Sequence, residues 1–291
     1  SEMTIALLFG TLAICLLIGV PIAISLGVAA LVAIYFGSTL PLDLIVQKAF
    51  TSLDSFPMLA IPFFMLAGIL MGKGGVSKRL LNLASALAGW MTGGLSIVTI
   101  IACMFFAAIS GSGPATVAAI GTFMIPAMIA KKYDAGFAAA VPAAAGSIGV
   151  IIPPSIPFVI YGVIGNVSVG DMFIAGIIPG LLIGISLIMT AYIISKRRGY
   201  KPEDETEKFS IKDVLVALND AKWALLIPVI ILGGIYGGIF TPTEAAVVAV
   251  VYAIIIGVFV YKELDLKGLY DSFMETIIIN ATTMIIIGLS V

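Results

Sequence analysis

Long apolar blocks follow one another from residue 4 to residue 291, parted by short charged clusters or by Gly and Pro. A hydrocarbon core of about 30 Å takes roughly 20 helical residues. On that measure the blocks predict helical spans at residues 4–20, 21–36, 57–71, 135–165, 172–195, 223–240, 243–261 and 276–291. As one helix, the run 4–36 would be about 50 Å long at 1.5 Å per residue. The pattern therefore predicts a break at Gly19-Val20-Pro21, since proline removes a helix hydrogen bond. Thr241-Pro242 divides the run 222–261 in the same way, and a single bent helix is the alternative in each case. Three stretches, 42–55, 76–90 and 264–274, mix charged residues with Leu, Phe or Tyr at helical spacing and predict helices lying along the interface. Ordinary polar loops are the alternative there.

Two apolar stretches, 95–109 and 115–130, are each short for a span and meet at Ser110-Gly111-Ser112-Gly113-Pro114. Lys131 and Lys132 close the second stretch, and no charge flanks the turn. This predicts a re-entrant hairpin entered from the lysine side; two short spans with an outer loop remain possible. A second interruption, "GSIGVIIPPSIPF", runs from Gly146 to Phe158 inside the block 135–165. Pro153, Pro154 and Pro157 block helix there. Irregular backbone at membrane depth is tolerated only where it is buried in protein or lines a watery cavity. Two such breaks close in sequence point to one site, though plain kinks would also use Gly and Pro. Backbone carbonyls and serine hydroxyls suit a hard monovalent cation. Neither 95–130 nor 135–165 contains Asp, Glu, His, Lys or Arg, and proton coupling normally leaves a titratable group in the membrane. Sodium is therefore expected. The stretches 105–119 and 135–147 are rich in Ala and Gly, which permits close helix packing or sliding.

Composition agrees with the pattern: 61% of residues are hydrophobic, 11% are charged, and the mean hydropathy is +1.20. Soluble domains carry about 25% charged residues, so this reads as a polytopic membrane protein. The first block has no basic flank and leads straight into further apolar sequence, so no separate signal peptide is expected. There is no histidine, and Cys15 and Cys103 both sit in apolar blocks, so neither a disulfide framework nor a metal cluster is expected. If the crossings alternate, Lys73, Lys78, Arg79, Lys131, Lys132, the cluster 196–222, Lys262 and Lys267 share one side, and only Lys48 falls on the other. By the positive-inside rule the crowded side is cytoplasmic. The N-terminus is then on the outer side, which suggests a partner span or fused domain ahead of it. The loop 196–222, with "KPEDETEK" in it, reads as a solvated cytoplasmic connector.

An internal repeat overlies this plan. Pro21 matches Pro242, Leu42-Asp43-Leu44 matches Leu264-Asp265-Leu266, and Gly68 roughly matches Gly288. An odd number of crossings separates the copies, so the second is inverted, a feature of secondary transporters. Chance likeness between apolar segments is the alternative. The second copy has no partner for residues beyond about Met71, so the chain is expected to be part of a longer one that continues into a second hairpin.

"AAISGSGPATVAAIG", "GSIGVIIPPSIPFVIYG" and "TPTEAAVVAVVYA" together resemble the large membrane subunit of tripartite ATP-independent periplasmic (TRAP) transporters, and the resemblance covers the chain in order. It implies an all-α polytopic protein built as an inverted-repeat, elevator-type transporter with a re-entrant hairpin, broken helices and interfacial arm helices. It implies sodium-driven uptake of an organic acid across the bacterial inner membrane. The partners would be a small four-helix membrane subunit, sometimes fused N-terminally, and a periplasmic substrate-binding protein. By motif, Ser110, Ser112, Gly149, Ile152 and Pro154 would form a sodium site, and Gly113, Pro114, Ala115 and Thr116 would face the substrate. A second sodium site and a basic partner for the anion would lie in the further part. Helix N-termini could stand in for that charge. Residues 1–91 would be scaffold and arms, 92–195 transport domain (hairpin 92–130, broken helix 135–165, helix 172–195), 196–222 connector, and 223–291 the start of the inverted scaffold copy. C4-dicarboxylates and sialic acid are the expected substrates, with a lean to sialic acid. Two other classes stay open. An intramembrane serine enzyme would need a base near Ser110 or Ser112, and these helices hold neither His nor Lys. A passive anion channel could also use carbonyls, but the repeat favours alternating access.

Overall fold

The computed structural model describes residues 2–202 and 209–290. Among these residues there are thirteen α-helices and no strand. They are α1 (Glu2–Leu17), α2 (Ile22–Gly37), α3 (Asp43–Thr51), α4 (Ala60–Lys73), α5 (Val76–Ala88), α6 (Gly94–Ser110), α7 (Gly113–Ala130), α8 (Ala135–Gly146), α9 (Ile156–Ile164), α10 (Val169–Arg198), α11 (Ile211–Tyr236), α12 (Pro242–Ile255) and α13 (Leu266–Ser290). A 3-10 turn at Phe56–Leu59 leads into α4, and a π-helical turn at Ile256–Val260 follows α12. Among the described residues, six helical segments are long and apolar enough to cross a membrane, and α1, α2, α6 and the segment Ala135–Val150 are shorter apolar helices. The chain is therefore a multi-pass helical membrane protein.

Two compact units divide it. The smaller comprises Ser1–Met58 with Ile277–Val291. In it, α1 and α2 are antiparallel, with the Thr4 hydroxyl donating to the Gly37 carbonyl at 2.6 Å. Their break falls where the pattern placed it: Gly19 takes φ +83° and Pro21 precedes α2 without a side-chain cap. Gly288 packs closely on Ala49 and Leu53, and Gly27 faces Leu289.

The larger unit, Leu59–Thr276, carries both interruptions. The amphipathic α5 buries Val76, Leu80, Leu83, Ala84 and Ala88 and packs on α6 and α11. Arg79 pins it from the other side. Its Nη1 donates to Glu263 at 2.7 Å and to the Gly75 carbonyl at 2.9 Å, and its guanidinium lies over the Tyr261 ring at 3.7 Å. α6 and α7 run antiparallel, since Thr99 reaches Met128 while Ser110 meets Thr116. One end of this hairpin lies level with the start of α8 and the end of α10. Ser96 meets the Ser195 hydroxyl at 3.3 Å, Asp134 N–H donates to Tyr200 Oη at 3.0 Å, and the Tyr133 and Tyr200 rings stack at 4.1 Å.

From that level α10 outruns the hairpin. Gly184 packs on Met104 and Gly180 on Ile152, about 27 Å above Arg198 at 1.5 Å per residue. Beyond Gly180 the helix rises a further 16 Å or about that to Val169, beside Gly162 of α9. The hairpin turn thus lies at the level of the second interruption, with α9 and the first turns of α10 continuing past it.

Four expectations are corrected. The hairpin limbs are 17 and 18 residues long, so length alone does not separate a hairpin from two spans. α11 begins at Ile211, inside the expected connector 196–222, because Ser210 caps it by accepting from Asp213 N–H and its charged first turns form helix facing outward. Residues 203–208 of that connector lie outside the described residues. The expected interfacial helix 264–274 and span 276–291 are one helix, α13. Its first-copy counterpart is divided by Pro57, where the second copy has Ile277 and Ile278 and nothing stops the helix. Finally, the helix expected at 172–195 extends to Val169–Arg198.

Candidate functional site

The chain reverses at the hairpin tip in two residues. Gly111, at φ +62°, ends α6 in the left-handed region that glycine enters freely. Ser112 is extended (φ −133°, ψ 123°), and its hydroxyl accepts from Ala115 N–H at 3.4 Å, capping α7. The second interruption ends in the same way. After a 3-10 turn at Ser147–Val150 and irregular backbone containing a cis Pro153-Pro154 bond, Ser155 (φ −134°, ψ 121°) caps α9 by accepting from Phe158 N–H at 3.3 Å. It also donates to the Val150 carbonyl at 2.7 Å. A proline stands two residues after each capping serine, Pro114 and Pro157, where its missing N–H costs nothing.

The two interruptions dock on each other through bare backbone. Ile156 N–H donates to the Gly111 carbonyl at 3.1 Å. A Cβ on Gly149 would stand 2.8 Å from Thr116 Oγ1 and 2.9 Å from the Ser112 carbonyl oxygen. One on Gly113 would stand 2.9 Å from the Gly146 carbonyl oxygen. These positions must be glycine for the main chains to approach so closely. Within the tip, Ser110 Oγ and Thr116 Oγ1 meet at 3.1 Å, and Thr116 Oγ1 donates to the Ser112 carbonyl at 2.8 Å. Ser110, Thr116 and Ser155 are all fully buried. Gly68 of α4 packs directly on Ser110.

Chemically this is a buried cluster of hydroxyl and carbonyl oxygens with no acidic or basic residue anywhere in 95–130 or 135–165. Among the described residues no three His, Cys, Asp or Glu gather to hold a metal. Oxygen donors of this kind suit a hard monovalent cation. The N-termini of α7 and α9, both ending here, add partial positive charge of the kind that attracts a carboxylate.

Ser110, Ser112, Gly149 and Pro154 come together here: a Cβ on Gly111 would stand 2.7 Å from the Pro154 carbonyl oxygen. Ile152 lies on the far flank, its N–H bonded to the Ile148 carbonyl at 2.9 Å and its side chain on Gly180 of α10. Gly113 and Thr116 turn inward to the docking surface and are buried, whereas Pro114 is exposed and Ala115 half-exposed. Ala115 lines a groove of about 220 Å³ that also holds Gly68, Gly72 and Lys73. Sequence reasoning missed Ser155, although the repeated Ser-x-Pro of Ser112–Pro114 and Ser155–Pro157 was a usable signal. It also missed the docking faces of Gly111, Gly146 and Gly68, which no local pattern marks.

Residues 9–291 match the family described as the tripartite ATP-independent periplasmic transporter, DctM component. The isethionate TRAP transporter permease protein DctMQ of Oleidesulfovibrio alaskensis is 53% identical over 283 residues, covering 97% of this chain and 44% of that protein. A C4-dicarboxylate TRAP transporter large permease of Vibrio cholerae is 46% identical, over 90% of this chain and 57% of its own length. The sialic acid TRAP permease SiaT of Haemophilus influenzae is 43% identical, over 94% of this chain and 44% of its own. The chain thus spans about half the length of these relatives.

Proposed function

This chain belongs to the DctM component family of tripartite ATP-independent periplasmic transporters, and we propose that it carries sodium-coupled uptake of an organic acid by an elevator movement. The family is one of transporter permeases and not of enzymes, so the reading of Ser110 or Ser112 as a nucleophile falls. The observation that carries the proposal is the docking of the hairpin tip on the proline-interrupted segment, which gathers hydroxyls and carbonyls around Ser112, Thr116 and Gly149 without a charge.

The coupling ion is sodium, held by Ser110 and Ser112 at the tip and by the backbone of Gly149, Ile152 and Pro154. The anionic end of the substrate meets the α7 side of the tip, at Gly113, Pro114, Ala115 and Thr116, where the helix N-terminus favours negative charge. The hairpin enters and leaves on one side, a reading supported by its tip lying level with the second interruption while α9 and α10 continue, although α7 is itself long and apolar enough to cross. Hairpin, α8, α9 and α10 move as one body, which their shared base contacts and glycine-lined faces support. Residues 1–91 and the inverted copy from 223 onward form the scaffold. Both long apolar runs are split, at Gly19–Pro21 and at Thr241-Pro242, as an inverted repeat requires.

The substrate class is an organic anion, in line with relatives named for isethionate, C4-dicarboxylates and sialic acid. Likeness to the isethionate permease adds a small sulfonate to the C4-dicarboxylates and sialic acid that the family resemblance implied. The partners are a small membrane subunit, fused or separate, and a periplasmic binding protein that hands over the substrate. The membrane is the bacterial inner membrane, with the N-terminus of this chain periplasmic. The test is uptake of labelled isethionate, succinate and sialic acid into proteoliposomes holding the full-length permease, its small subunit and its binding protein. Uptake of one of them driven by an inward sodium gradient is expected. Equal uptake without sodium would overturn the coupling, and uptake without the binding protein would favour a passive channel.

A further inference from the structure

The groove that Ala115 lines runs down one face of α7, from Ala115 to Thr122, about 10 Å along the helix. Its opposite wall is α4, from Gly68 to Lys73. Gly68 is the residue packed on Ser110, so the groove starts at the hairpin tip. Lys73 ends α4 only about 8 Å further along that helix. The walls are mostly apolar, formed by glycine, alanine and phenylalanine, and among the described residues lining them Lys73 is the one cation and Glu275 the one anion. The two are paired, with Lys73 Nζ 2.8 Å from Glu275 Oε2. Both are partly open to solvent, at 36% and 47% exposure, so neither is locked in place. Glu275 stands in α13 where its charged first turns give way to its apolar remainder.

Resting on the proposed transport reading, we infer that Lys73 is the counter-charge for the organic anion as it passes between the hairpin tip and the basic side of the membrane, with Glu275 holding that charge between passages. An incoming carboxylate or sulfonate takes the place of Glu275 on Lys73 by exchange of one ion pair for another. No cation stands in the interruptions themselves, so an anion leaving the tip along this groove meets its first positive side chain at Lys73. The exchange keeps the lysine charged and paired at every stage, and the displaced Glu275, 47% exposed, is left to solvent and not buried alone. It also makes release readily reversible, since the displaced Glu275 competes for the same ammonium group.

The experiment replaces Lys73 by Cys in the full-length permease complex, in a background without other reactive cysteines, and measures uptake of labelled isethionate, succinate and sialic acid in proteoliposomes. Lys73→Cys is expected to raise the substrate concentration for half-maximal uptake about tenfold, the effect of one charge-assisted hydrogen bond. Treatment with aminoethyl methanethiosulfonate, which restores a cation at that length, should recover it, whereas the sulfonatoethyl reagent should not. Lys73→Arg should stay near wild type, and sodium affinity should be unchanged throughout. Recovery by both reagents, or by neither, would assign Lys73 a steric or structural role and overturn the inference. A wild-type complex that takes up none of the three acids would instead overturn the transport reading beneath it. Normal uptake by the unmodified Cys variant would overturn the Lys73 role alone.

Discussion

The chain interrupts apolar helices at Gly19–Pro21 and again at Gly111–Pro114, and the two interruptions differ in what satisfies them. The first has a left-handed glycine and a proline, no side-chain cap, and surroundings open on several sides. The second has a left-handed glycine, a capping serine, a fully buried hydroxyl pair and a second interruption docked against it. At these two places proline and glycine mark that a helix stops, although Pro126, Pro142, Pro179 and Pro228 lie inside helices that continue. At the second, a hydroxyl at the N-cap with a glycine of another segment facing it gathers the freed oxygens, which is the arrangement the proposed ion site would use. The segment ending at Ser155 falls on the same side of this division, with a cap geometry nearly identical to that of Ser112.

The largest effect should come from filling the docking face. Gly149→Val would push a side chain against Thr116 Oγ1 and the Ser112 carbonyl, at an overpacking cost of about 1–3 kcal/mol. Sodium-dependent uptake should fall by about a hundredfold in a complex that still inserts and assembles, as initial rates against sodium concentration will show; Gly149→Ala should fall between it and wild type. If Gly149→Val transports normally, the docked interruptions are packing and no more. Next comes Ser112→Ala, which removes a cap worth about 1 kcal/mol and, on the proposed reading, a sodium-binding hydroxyl, and should weaken sodium about tenfold. Ser155→Ala should be milder, about fivefold, if that serine shapes the site through its bond to the Val150 carbonyl. An effect on thermal stability equal to that on sodium affinity would reduce Ser155 to a plain helix cap. The smallest effect belongs to the contrasting break: Pro21→Ala should leave sodium affinity and uptake within about twofold of wild type, because Gly19 still turns the chain. A loss there as large as that of Ser112→Ala would erase the distinction between a turn and a site.

Much of this was legible in the sequence because a membrane narrows the choices. Apolar blocks give helices, and prolines at Pro21, Pro153, Pro154 and Pro242 break them where the structure breaks. What was missed follows from the limits of local pattern. The charged first turns of α11 read as loop because charge clusters mask helical propensity, and only the Ser210 cap shows that helix begins there. α13 read as two elements because a change from amphipathic to apolar composition looks like a boundary, although no residue in it stops a helix. The hairpin turn was found from Ser110 to Pro114, yet the faces that dock on it, Gly68, Gly146 and Gly149, are distant in sequence and carry no side chain to betray their role. Of these only Gly149 was expected at the site, through the family motif; Gly68 entered as a repeat match and Gly146 as the start of the second interruption.

The central claim is that the hairpin tip holds the coupling ion. Its most direct test is a sodium titration of uptake by the full-length complex with its binding protein, for the native protein and for Ser112→Ala side by side. The account predicts a saturable sodium dependence that shifts about tenfold to higher concentration in the variant, with the maximal rate largely kept. Identical sodium curves for the two proteins, or uptake indifferent to sodium, would contradict it and return Ser110–Pro114 to the status of a structural turn.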